Sequence, residues 1–327
     1  MSPSKRSDRP GDYPLECDHC HYPIPNDPVE TDDGYVCSTA CHDAVGDDTT
    51  MAEPSAYKRI ATGVEPLDSL VPTGVPSNSF LTLVGEAGTR WRELLTELVW
   101  RALERGEPAA ILTATTPPTA VLERFFEAGW NVLPALEDER LRVIDCFTHR
   151  LEDRETFLER RNRWIEFVGE TAADSIVTLE EPTATEPILS GLNETLDDLE
   201  MTETGLVTID SLAEFEANHR HAFVAELRAS VCKARYVPII AGTVADIGSD
   251  SSNAFADGIV DLRLADHLES AVRHRQLSVR KLTGAQSLPQ WIAYEYDPPQ
   301  GLLVLGSAVD VDGRSTVSDS AELHGRQ

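Results

Sequence analysis

The sequence predicts an α/β protein: a mostly parallel sheet flanked by helices, with antiparallel edge strands, plus a small zinc-binding module. Three observations carry this expectation. Apolar runs rich in β-branched residues alternate with helical patterns through most of the 327 residues, which implies crossover connections and a sheet covered on both faces. The last four apolar runs are joined by turns instead of helices, which suits antiparallel edges. Two close cysteine pairs, Cys17 with Cys20 and Cys37 with Cys41, stand near the start.

Composition divides the chain into a polar leader (1–12), the cysteine-rich module (13–46), a linker (47–58), the α/β region (59–306) and a flexible tail (307–327). In the module, Cys17-x2-Cys20 and Cys37-x3-Cys41 have the spacing of two metal knuckles. Each pair can place two thiolates on one ion, and four thiolates suit tetrahedral Zn²⁺ in a closed, structural site. Asn26 to Pro28 and Asp32 to Gly34 supply turns between the knuckles, and a short helix is expected from Ser38. The alternative is two pairs of ordinary buried cysteines. His19, His21 and His42 are expected to be exposed, since four thiolates already satisfy the ion. Between Cys17 and Val45 there is no Lys or Arg, while Asp18, Asp27, Glu30, Asp32, Asp33 and Asp43 are acidic. A finger that grips nucleic acid presents basic residues to phosphate, so protein contact is the expectation. "YVCSTAC" resembles the treble-clef zinc modules of the TRASH and YHS type.

In the α/β region the strands are "SFLTLVG", "PAAILTAT", "LRVIDCF", "GLVTIDSL" and "VPIIAGTV". Helices between them include Trp91–Arg105, Thr119–Ala128 and Ala217–Lys233. "IVDLRLA", "RQLSVRKL", "QWIAYEYD" and "GLLVLG" are the expected antiparallel edge strands. "LERRNRWIEF", Leu158 to Phe167, reads as one basic amphipathic helix with a solvated face. Cys146 and Cys232 read as core thiols, and His219 and His221 have no partner at catalytic spacing.

The formal charge is −28, and the only lysines are Lys5, Lys58, Lys233 and Lys281. An acidic, Lys-poor yet well-patterned chain is what adaptation to molar salt produces. At such salt the Debye length is roughly 3 Å, so charge says little about partners. The polar start and the lack of any apolar run near the ~20 residues of a membrane span predict a cytoplasmic protein without membrane contact.

"ATGVEPLDSLVPTGVPSNSFLTLVGEAG", Ala61 to Gly88, resembles the opening of KaiC-type domains of the RecA-like P-loop ATPase superfamily. Thr62-Gly63, Leu67-Asp68 and Gly74-Val75-Pro76 match that opening in order and spacing. "EAGWNV", "LRVID", "VTIDSL" and "ADGIVDLRL … RQLSVRKLTG" extend the likeness from Ile60 to Gly306. The resemblance implies a RecA-like fold and, as for such proteins, which are frequent in halophilic archaea, a role in signalling or gene regulation.

The chemistry departs from the family. A phosphate loop, G-x-x-x-x-G-K-[ST], uses backbone amides, a Lys and a Mg²⁺-binding hydroxyl. Laid on Gly85, the pattern puts Arg90 at the second Gly, Trp91 at Lys and Arg92 at Ser/Thr, while Gly88 can keep the turn. The paired acids that polarise the attacking water in the family are Thr115 and Thr116 here. Asp210 stands where a Walker B carboxylate would hold Mg²⁺. Lys281 corresponds to a family Lys that faces nucleotide across a subunit boundary, and the Arg expected two residues later is Thr283.

The expectation is a pseudo-ATPase with no catalytic residue and no bound Mg–ATP, its degenerate nucleotide site comprising Gly85, Gly88, Arg90, Arg92, Asp210 and Lys281. Such a protein would act as a regulator or scaffold through protein partners or a homo-oligomer, with nucleic acid not favoured as a partner. The alternative is an ATP-binding switch or a recombination and repair accessory, with Arg90 or Arg92 standing in for the missing Lys.

Overall fold

The computed structural model describes residues 58–160, 162–182, 184–215, 217–244, 255–266 and 273–305 of the large region. In the cysteine-rich region it describes residues 17, 18, 24, 28–31, 34–37, 41 and 42. There, β1 (Val29–Glu30) and β2 (Tyr35–Val36) form an antiparallel hairpin. The Asp18 carboxylate accepts from Tyr35 N at 2.6 Å and ties the first knuckle to the second strand. Cys17, Ile24 and Val36 make a small buried core against Val29, Cys37 and Cys41.

The large region opens with β3 (Arg59–Ile60), α1 (Glu65–Leu70) and β4 (Val75–Pro76), with β3 and β4 antiparallel. The Thr-Gly and Leu-Asp pairs have a mechanical reason. One oxygen of Asp68 accepts from Thr62 N and Oγ1 at 2.8 and 2.7 Å, and the other from Gly63 N at 2.9 Å. Gly63 takes φ +78°, so the locked turn also needs a residue free to enter the left-handed region.

Then follow β5 (Phe80–Gly85), α2 (Trp91–Glu104), β6 (Ala109–Thr113), α3 (Pro118–Glu127), α4 (Leu133–Glu137) and β7 (Leu141–Asp145). Next come α5 (Arg154–Glu159), α6 (Arg163–Thr171), β8 (Ile176–Thr178), α7 (Thr185–Asp198), β9 (Leu206–Ile209) and α8 (Ala217–Leu227). A π-helical stretch, Arg228–Lys233, continues α8. The chain closes with β10 (Ile239–Val244), β11 (Gly258–Asp266), β12 (Arg273–Leu282), β13 (Ile292–Asp297) and β14 (Gly301–Val304).

These strands build one 10-stranded mixed sheet in the order β14-β13-β12-β11-β5-β10-β9-β6-β7-β8. Side chains alternate across it, as a period of two requires. Leu81, Leu83, Ile111 and Val143 join the cluster under α1 to α4 and α6, while Phe80, Val84, Ile144 and Ile209 join the one under α7 and α8.

Three details differ from expectation. β11 ("IVDLRLA") pairs parallel to β5, and only β12, β13 and β14 form the antiparallel edge. Ladder bonds on both sides place β11 inside the sheet. The Leu158–Phe167 segment is two helices, because Asn162 accepts from Trp164 N and Ile165 N and so starts a new one. β8, a short edge strand, carried too little apolar pattern to stand out.

The β13–β14 hairpin is held to α2 by a buried carboxylate. Glu97 is 1 % exposed and accepts from Leu302 N at 2.8 Å and from Arg101 at 3.2 Å. Arg101 in turn donates to Gln300 O at 2.7 Å. Burial pushes the Glu97 carboxyl up to about 7, partly offset by Leu302 N–H and Arg101.

Candidate functional site

The parallel strands point their C-terminal ends at the loop between β5 and α2, where open α/β sheets present ligand sites. Arg90, the residue before α2, has φ +63° and ψ +30°, the left-handed conformation that glycine takes most easily. The turn therefore keeps the shape of a phosphate loop without its second glycine, at a cost of about 1–2 kcal/mol. Arg90 pairs with Glu93 at 2.8 Å, one turn into the helix.

Trp91 turns inward onto the sheet and is 5 % exposed. A Cβ on Gly85 would lie 2.5 Å from its ring, and one on Gly242 of β10 would lie 2.2 Å away. Any side chain at either position would meet the indole, so both glycines serve its packing. Gly242 was not singled out from the sequence, although a glycine inside "IIAGTV" signals close approach. The Arg92 guanidinium lies over the Trp91 ring, 4.3 Å from its centre.

The loop is fastened by the far strands. Arg275 of β12 donates to Gly88 O at 3.0 Å, and the buried Tyr294 hydroxyl of β13 donates to Thr89 O. Glu86 bridges to β11, its N–H donating to Leu262 O at 3.1 Å and its carboxylate accepting from Leu264 N at 3.0 Å.

Asp210 follows β9 and is 4 % exposed. Its carboxylate is turned to the end of β6. Its Oδ1 accepts from Ala114 N at 2.8 Å and its Oδ2 from Thr115 N at 2.9 Å and from Thr115 Oγ1, with Thr113 Oγ1 3.1 Å from Oδ2. Three donors thus meet both lone-pair directions of Oδ2 and one of the two on Oδ1. Thr116 accepts from Thr113 Oγ1 through its carbonyl at 2.6 Å. Of the two threonines where paired acids were sought, Thr115 thus engages Asp210 and Thr116 closes the strand end through Thr113.

A cleft of about 750 Å³ opens over the loop, lined by Gly88, Arg90, Trp91, Arg92, Arg124 and Arg275 among others. Of the predicted site residues it gathers Gly88, Arg90 and Arg92. Gly85 lies beneath Trp91, and Asp210 is engaged at the strand ends behind. Lys281 is held elsewhere, its Nζ donating to Ala256 O at 2.6 Å. Arg124 of α3 and Arg275 escaped the sequence reading because they are distant in sequence and belong to no motif. Burial holds the Arg124 guanidinium below its usual range, and the neighbouring Arg92 charge adds to that.

In the cysteine-rich region the Sγ atoms of Cys17, Cys37 and Cys41 lie within 4.8 Å of one another. Cys37 Sγ and Cys41 Sγ are 3.6 Å apart. Tetrahedral zinc with Zn–S bonds near ~2.3 Å separates its sulfurs by about 3.8 Å, so this donor set fits a metal ion. The fourth expected ligand, Cys20, lies outside the described residues, as does Ser38. Cys41 and His42 are helical, consistent with a helix in that place. Cys146 and Cys232 are buried, and burial pushes each thiol up to about 12, as inert core thiols require. No helix among the described residues is long and apolar enough to cross a membrane.

Comparison with known proteins agrees with this fold. UPF0273 protein MK0039 of Methanopyrus kandleri is 23% identical over 233 residues, covering 70% of this chain and 85% of that protein. A UPF0273 protein of Thermotoga maritima is 28% identical over 91 residues, covering 28% of this chain and 38% of its own length. The crystal structure of the KaiC-like protein PH0186 from Pyrococcus horikoshii superposes with a TM-score of 0.57 at 16% identity, covering 76% of this chain and all of that one, a likeness of fold. The description "ATPase: KaiC" matches residues 60–308, most of the chain, and the chain belongs to that KaiC family of the RecA-like superfamily.

Proposed function

We propose that this is a non-catalytic KaiC-like protein, a regulator or scaffold that works through protein contacts, with a structural zinc ion in its cysteine-rich module. The observation that carries the reading is the state of Asp210. A carboxylate that holds hydrated Mg²⁺ is aimed at the ligand, whereas this one is turned to the end of β6, its Oδ1 accepting from Ala114 N and its Oδ2 from Thr115 N and Oγ1. Trp91 supports it, since an indole packed on the sheet offers no charge to a γ-phosphate. Thr115 and Thr116 offer no carboxylate to orient an attacking water. The acidic, Lys-poor composition supports a salt-adapted, cytoplasmic setting, and the acidic module suits a protein partner better than nucleic acid.

Mg–ATP turnover and binding at molar KCl test the catalytic half of this proposal. The expected result is no hydrolysis above buffer, and no nucleotide affinity that Asp210→Ala removes. Steady turnover abolished by Asp210→Ala would refute it. For the module, metal analysis is expected to find about one zinc ion per chain, lost together with the module's fold in Cys37→Ser. A purified metal-free chain with every thiol titratable would contradict that half.

A further inference from the structure

A second cavity lies where β7 and β8 end, against α3, α5 and α6, and it shares no lining residue with the cleft over the β5–α2 loop. Asp145, Thr119 and Thr148 line it and are 3, 7 and 8 % exposed. Asp145 Oδ1 accepts from Phe147 N and Thr148 N, both at 2.9 Å, and so shapes the turn after β7. Among the described residues nothing donates to Asp145 Oδ2, and neither threonine hydroxyl has a hydrogen-bond partner. Three buried acceptors in one concave site are costly unless an occupant supplies donors. Arg154 of α5 lines the same cavity, its Nη1 2.9 and 2.8 Å from the two ring nitrogens of His149. No ion pair joins Arg154 to Asp145 or to any other described carboxylate, and the adjacent Asp153 accepts from Thr156 N at 3.1 Å. The cavity therefore keeps a negative and a positive group apart, with Pro118, Phe157 and Ile176 as apolar wall.

We propose that this cavity binds a small zwitterion of the amino-acid class, with its ammonium on Asp145 and its carboxylate on Arg154. An ammonium has three donors and no acceptor, and Asp145 Oδ2 with the Thr119 and Thr148 hydroxyls offers it three acceptors. A guanidinium fork matches a carboxylate, and the apolar wall suits a short aliphatic chain. The volume, about 210 Å³, is below the range of drug-sized sites and limits the occupant to a small metabolite. Other classes fit worse. A phosphoryl compound would meet the Asp145 carboxylate, a simple amine would bring a like charge to Arg154, and water alone would leave the apolar wall wet. The inference goes beyond the non-catalytic reading and is independent of it. Turnover that needs Asp210 would defeat that reading, whereas indifference to Asp145 and Arg154 would defeat this one.

The test is calorimetric titration of the full chain in molar KCl with L-valine and with γ-aminobutyrate, which hold the two charges at different spacings. Saturable binding of at least one is expected, and n-butylamine and butyrate, each with a single charge, should bind about tenfold more weakly or not at all. Asp145→Asn keeps an acceptor for Phe147 N and Thr148 N, so the turn persists while the charge is lost. It and Arg154→Gln should each weaken the zwitterion about tenfold. Thermal unfolding of the unaltered chain needs no variant, and the bound zwitterion is expected to raise its midpoint where the single-charge compounds do not. No saturable heat and no thermal shift with either zwitterion, single-charge compounds binding as tightly, or binding unchanged in both variants would each overturn the proposal.

Discussion

Trp91 shows how one side chain can set the character of a whole loop. Its indole rests on the bare backbone of β5 and β10, and Arg92 covers its outer face. Trp91→Ala would remove a large buried ring and leave a void that two glycines cannot fill. The expected cost is about 3–5 kcal/mol, read as a lower midpoint in denaturant at unchanged slope. At this scale the sequence was legible where identity alone decides: no indole can donate the charge of a lysine. It was silent where placement decides. That Asp210 would accept from Ala114 and Thr115, or that Arg124 would stand beside Arg92, follows from which strand and helix ends meet, and no local pattern reports that.

At the scale of elements, the edge hairpin β13–β14 is docked through a carboxylate buried in the face of α2. The Glu97 carboxyl is raised from its usual value to about 7. A raised carboxyl binds its proton more tightly folded than unfolded, so the stability it confers is full below the unfolded value and is lost as pH rises through about 7. The expected loss across that window is about 3 kcal/mol. Chemical denaturation at a series of pH values should show the decline, and Glu97→Gln should flatten it while keeping an acceptor for Leu302 N. A profile as steep in Glu97→Gln as in the parent chain would assign the decline to other groups. Most elements were legible because apolar period and turn chemistry agreed along them. β8 was missed and Leu158–Phe167 was fused into one helix for a common reason: both are short and part-exposed, where pattern is weak and a single cap at Asn162 decides.

Over the whole molecule, a net charge of −28 sets the terms on which the fold persists. Self-repulsion of that size disfavours the compact state at low ionic strength and is screened as salt rises. The thermal midpoint is therefore expected to climb steadily from low to molar KCl, and a midpoint insensitive to salt would count against salt adaptation. The RecA-like architecture was legible at this scale because several separated motifs agreed in order. The parallel placement of β11 was not, since a connection's length does not state on which side of β5 the chain returns.

The seat of Trp91 has a further consequence for any attempt to rebuild the loop. A lysine at position 91 would restore one motif position on paper, yet it would vacate the space above Gly85 and Gly242 and bring an ammonium into the apolar cluster that holds the indole. Glycine at position 90 and a hydroxyl at 92 would still be needed, as would release of Asp210 from Thr115. Each single step toward the ATP-binding pattern is thus opposed by packing that only the completed set could replace. Single substitutions at positions 90, 91 and 92 are therefore expected to lower the unfolding midpoint without giving Mg–ATP affinity, as titration of each variant would show.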